Sequence, residues 1–176
     1  MVFTQSETAA QATVGPQPAG TAEPFAALGF DDFEAGLLPL LRHFLAGLRR
    51  PGGQGWQHAF HTAAERWGET YGLAVAYALF KIIRALEDVR PERLNSHDAL
   101  CLETRERLTA DEQALLQMIH YMRRDQTPAA RQAVADAALG RMDPQVIRAG
   151  LAFARRFPCS GAETTPRAGP VLRTVG

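Results

Sequence analysis

Residues 69–89, ETYGLAVAYALFKIIRALEDV, decide the fold. Leu73, Val75, Leu79, Phe80, Ile82, Ile83 and Leu86 make this segment apolar nearly all round, while Lys81, Arg84 and Asp88 share one stripe at spacings of three and four. That periodicity is helical, and a helix with so little polar surface belongs in the middle of a bundle, wetted only towards its C-terminal end. Its longest nearly unbroken apolar run, Tyr71 to Phe80, spans ten residues. A membrane-spanning helix needs about 20, so the segment is expected to be a core helix and the protein to have no membrane partner. Glu87 and Asp88 close it, and Pro91 prevents continuation.

Helical signals extend in both directions. Upstream, Asp31 or Asp32 can cap a helix whose apolar positions are Phe33, Leu37, Leu40, Leu41, Phe44 and Leu48, with a kink or late start expected from Pro39. PGGQG at 51–55 breaks it, and a second helix follows with Trp56, Phe60, Ala63, Ala64, Trp67 and Tyr71 on one stripe. Downstream, Asn95 or Ser96 can cap a helix running through Leu108. Thr109-Ala110-Asp111-Glu112 fits a capping box ahead of Leu115, Leu116, Ile119 and Met122. Thr127-Pro128 and Asp143-Pro144 open two more helices, the first closed by Gly140. No stretch alternates with period two. The expected fold is an all-α compact bundle of about six or seven helices over residues 28–157, between a disordered leader at 1–27 and a flexible tail at 158–176.

Charge excludes a strong global field, because Lys+Arg and Asp+Glu number 19 each. The distribution is uneven: residues 1–118 hold ten basic and fifteen acidic side chains, and residues 119–176 hold nine and four. The C-terminal third is therefore a basic docking face for a partner, or an offset to the acidic part. Lys81 is the only lysine, a bias that fits a GC-rich bacterial genome as well as any binding task. Cys101 and Cys159 are too few for a disulfide framework, and the N-terminus carries no secretory pattern, so a cytoplasmic protein with reduced thiols is expected.

Candidate chemistry centres on SHDALC at 96–101. On a helix, His97 and Cys101 would project together and could meet His58 and His61 from the second helix, a donor set that suits zinc. Against this, paired CxxC or HxxxH spacing is missing, and Cys101 also reads as a small core residue. A thiol role for Cys101, with His97 as base, is opposed by the charges of Asp98, Glu103 and Glu106 and by apolar Leu100 and Leu102. No phosphate loop, GxSxG or HExxH occurs, so neither a cofactor nor catalysis is expected. The leading reading is a non-enzymatic accessory or regulatory protein that binds another protein, with the Trp56–Tyr71 aromatics as anchors wherever they lie exposed. An alternative is a DNA-binding regulator using a helix-turn-helix-like pair at 128–157, in which Gln145, Arg148, Arg155 and Arg156 would face the duplex. A metal-binding protein is the third reading, and the oligomeric state is left open.

Overall fold

In a computed structural model of the chain, residues 25–159 are described. A 3₁₀ turn at Phe25–Leu28 leads into six α-helices: α1 (Asp32–Arg49), α2 (Gly55–Trp67), α3 (Glu69–Val89), α4 (Ala110–Arg123), α5 (Thr127–Ala137) and α6 (Pro144–Arg156). Among the described residues there is no β-strand. The expected all-α bundle is therefore what forms. Most of the leader and tail lie outside the described residues, but Phe25, inside the segment expected to be leader, is placed against Phe30 at a ring separation of 5.2 Å.

Helices α1, α2 and α3 pack in succession, α4 and α5 form a hairpin, and α6 lies across α3 and α4. On α3, Val75, Ala76, Leu79, Ile82, Ile83 and Leu86 are all removed from solvent and meet Leu37, Leu40, Leu41 and Phe44 of α1 in one core. The helix is less enclosed than its composition predicts, because Leu73 and Tyr77 continue the Lys81–Arg84 stripe on its wet side.

Local start signals operate as expected. Asp31 caps α1 and exchanges hydrogen bonds with Glu34, 2.8 Å from the Glu34 amide and 3.0 Å back to its own. Thr109 and Glu112 repeat that capping box on α4. Asp143 accepts from the Gln145 and Val146 amides at the head of α6. Helix α1 starts well before Pro39 and runs through it, so the late start does not occur.

Two expectations fail. The aromatic stripe from Trp56 to Tyr71 does not sit on one helix, because Gly68, at φ +79, takes a left-handed turn between α2 and α3. Trp56 and Tyr71 are half-exposed rather than core. The helix expected over 95–108 is not formed either; residues 90–109 are an irregular connection.

Two of the glycines at close helix approaches are of different kinds. At Gly72 of α3 an added Cβ would collide with the backbone carbonyl of Ala63 on α2, whereas at Gly150 of α6 it would meet the Met122 thioether. Backbone cannot yield locally, but a methionine side chain can repack. Gly72→Ala is expected to cost about 1–3 kcal/mol of stability, and Gly150→Ala distinctly less. Denaturant midpoints of the two variants measure the difference, and equal losses would contradict the packing described.

Candidate functional site

Loops longer than about 12–15 residues are uncommon in compact domains and tend to be functional. The 90–109 connection exceeds that length, and it is held by charge. Arg42 of α1 and Glu112 of α4 are both buried, with the Arg42 Nε 2.8 Å from Glu112 Oε1 and a second contact of 3.2 Å from Nη2 to Oε2. Arg42 also donates to the carbonyls of Arg105 and Arg107, and Glu112 accepts from the His97 amide at 3.1 Å and the Thr109 amide at 2.9 Å. A second buried arginine, Arg90, donates to Asp111 at 2.8 Å and to the Ala137 carbonyl. Asp111 in turn accepts from the Asn95 amide, and Arg49 donates to the Leu94 carbonyl at 2.8 Å. Side chains from α1 and α4 thus hold backbone groups near both ends of the connection. Buried ions survive only when fully paired, and removing one partner costs about 3–5 kcal/mol.

Fixed in this way, the loop presents Leu100 and Leu102 to solvent at 81% and 82% exposure. Both border a cleft of about 460 Å³ whose other walls include Phe25, Leu38 and Pro39, with Arg66 and Arg105 at its edge. Cys101 lines the same cleft. Hydrogen bonds from the Thr104 hydroxyl and from the Thr104 and Glu103 amides hold its thiol below the usual value. The charge of Glu103 acts upward, as the sequence suggested, but it is the smaller influence.

The proposed metal ligands are not brought together on a shared helix face. His97 is anchored through its amide to Glu112, and Cys101 faces the cleft. His58 lies on α2 with its ring 5.6 Å from that of His43, and His61 pairs with Glu65 on the exposed side at 3.2 Å. Among the described residues, no group of three or more His, Cys, Asp or Glu side chains is placed to hold a metal ion. Ser96, expected as a cap, buries its hydroxyl without a hydrogen-bond partner.

At the opposite end of α1 a denser charge cluster forms. Glu34 is buried and accepts from Arg123 at 2.6 Å, from Arg124, and pairs with His120 Nδ1 at 2.9 Å. Asp31 accepts from Arg123 at 2.8 Å, and Arg123 Nε donates to the Phe157 carbonyl at 2.8 Å. The guanidinium of Arg123 stacks 4.6 Å from the Phe33 ring centroid. Arg123 therefore ties the start of α1 to the end of α6 through α4.

A second surface feature lies between α5 and α6. Helix α5 presents Ala130, Ala133, Val134 and Ala137 to α4, while Gly150 lets α6 approach Met122 of α4. Each helix packs on α4 more than on the other, and a cavity of about 230 Å³ opens between them. Its lining includes Met122, Val134, Met142, Ile147 and Leu151. Met142 and Leu151 remain 46% and 39% exposed. Arg131 and Asp125 stand on its rim, and Arg148 and Arg155 flank Leu151 one helical turn before and after it. The residues proposed to read DNA are thus exposed, but the pair at 128–157 is not a closely packed helix-turn-helix unit. Leu151 is core-like by residue type but faces outward here. Its place between two arginines, off the buried Val146–Gly150–Phe153 stripe, is the signal that marks it as outward-facing.

No family model matches the sequence, and no curated protein or solved structure matches it.

The Glu34 cluster sets an acid limit on stability. Burial pushes the Glu34 carboxyl up, but hydrogen bonds from Arg124, His120 and the Asp31 amide outweigh it and leave the group below its ordinary value. Asp31 is likewise lowered, with burial opposed by the Glu34 amide and by Arg123 and Arg124. A carboxyl lowered by folding stabilises the native state above its unfolded value, and that contribution is lost as pH falls through the folded one. Stability is expected to hold at neutral pH and to decline on acidification through and below the ordinary carboxylate range. Glu34→Gln should be less stable at pH 7 and show a shallower acid decline, measured as unfolding midpoint against pH. An unchanged slope would remove Glu34 as its source.

Proposed function

We propose that this is a non-enzymatic, cytoplasmic accessory or regulatory protein that works by binding another protein, and that the α5–α6 groove takes an acidic amphipathic helix of that partner. One observation carries the reading: two apolar side chains, Met142 and Leu151, stay exposed at an apolar groove whose α6 edge is flanked by Arg148 and Arg155. Helix-in-groove recognition uses this combination, with apolar anchors at helical spacing in the groove and charges along the rim. The basic excess of the C-terminal third favours acidic residues on the incoming helix. Duplex DNA fits less well. Leu151 stands between the two arginines, and the acidic Asp125 lines the same groove.

The test is selection of helical peptides from a displayed library on the full-length protein. Enriched peptides are expected to combine leucines at i, i+4 and i+7 with Asp or Glu between them. Leu151→Asp should weaken their binding about tenfold or more. Arg148→Glu/Arg155→Glu should weaken it and reduce its sensitivity to salt. Enriched peptides indifferent to Leu151 would exclude the groove. Retardation of a DNA duplex at low salt, abolished by the double glutamate variant, would replace the protein-binding reading with DNA binding.

A further inference from the structure

The α5–α6 groove leaves the other large apolar feature of the surface without a role. Leu100 and Leu102 are the most exposed large apolar residues described, and they stand on a loop anchored on both sides of them. Its backbone is pinned on both sides: the Asn95 and His97 amides are held by Asp111 and Glu112, and the Arg105 and Arg107 carbonyls by Arg42. Beside the two leucines lies the cleft of about 460 Å³ walled by Phe25, Leu38 and Pro39, within the size range that accepts a small ligand or several side chains. The same patch therefore carries protruding apolar knobs and an adjoining recess whose lining mixes apolar side chains with Arg66, Arg105 and Glu106.

We propose that this patch pairs with the same patch of a second copy of the chain, in a twofold dimer in which Leu100 and Leu102 of each copy enter the cleft of the other. A twofold interface is isologous: one surface must be complementary to itself, with each projection matched by a recess on the same face. The charges around the patch obey the same condition. Asp98, Glu103 and Glu106 are interspersed with Arg66, Arg105 and Arg107, all exposed. Acidic and basic groups are equal in number, so each copy can offer an opposite charge to the other without net repulsion.

Sedimentation equilibrium of the full-length protein tests this. The wild type is expected to be dimeric at about 100 μM, and Leu100→Asp/Leu102→Asp to raise the dimer dissociation constant by about 100-fold. Because both leucines are outside the core, the double variant should keep the wild-type thermal transition when both are compared as monomers at low concentration. A second measurement does not depend on that variant. Spin labels on Cys101 in a Cys159→Ser background should give an intermolecular distance that vanishes on dilution. Leu151→Asp should leave the dimer intact, so failure of this interface and failure of the peptide-binding groove are read separately. A chain monomeric at 100 μM and above, or a dimer unaffected by the Leu100/Leu102 substitutions, overturns the proposal.

Discussion

Arg42 and Glu112 sit inside the bundle, where ions are expensive, and the rest of the chain is arranged around keeping them paired. Water is excluded from both side chains, so every donor of the guanidinium and every lone pair of the carboxylate has to find a protein partner. Helices α1 and α4 supply the ions, and the 90–109 connection supplies the remaining partners through its own backbone. The arrangement requires arginine. Its planar fork reaches a carboxylate and two carbonyls at once, which a lysine ammonium at the same position could not do with the same geometry. The pattern recurs with Arg90 on Asp111 and the Ala137 carbonyl, and with Arg123 on Asp31, Glu34 and the Phe157 carbonyl. Three arginines are thus internal cross-links, and most of the others described lie on the surface.

Those surface arginines are unevenly placed, and the packing explains what lies between them. Small residues on α5 and Gly150 on α6 draw both helices onto α4, and the space between α5 and α6 stays open as a consequence. The loop surface arises differently, from a backbone immobilised by ions with its apolar side chains turned outward. One is apolar with a basic rim and the other apolar with balanced charge, so they suit partners of different character.

Local signals in the sequence carried most of the helical layout. Asp31, Thr109 and Asp143 start helices through contacts within three residues, Pro128 suits a first turn by its fixed φ, and the α3 periodicity needs no tertiary knowledge. The loop was illegible for the opposite reason. Ser96 followed by Asp98 looks like a helix start, but the segment is held by Arg42, more than fifty residues earlier in the chain and unmarked by spacing, and by a second use of Glu112 beyond its capping box. Glu34 shows the same limit. As the third residue of a capping box it has a complete local explanation, yet it is also the counter-ion of Arg123 and Arg124. The α5–α6 groove is a gap between elements, which no window on either helix contains.

The pinned loop also has a dynamic meaning. Irregular segments ordinarily exchange their amide hydrogens with solvent quickly, because small local fluctuations expose them. Here the amides of Asn95, His97 and Thr109 donate to carboxylates of α4 that are themselves locked to arginines, one of them on α1. Freeing the His97 and Thr109 amides strips partners from the buried Glu112 carboxylate. The connection between α3 and α4 therefore belongs to the same cooperative unit as the core, and opens with the protein as a whole rather than ahead of it.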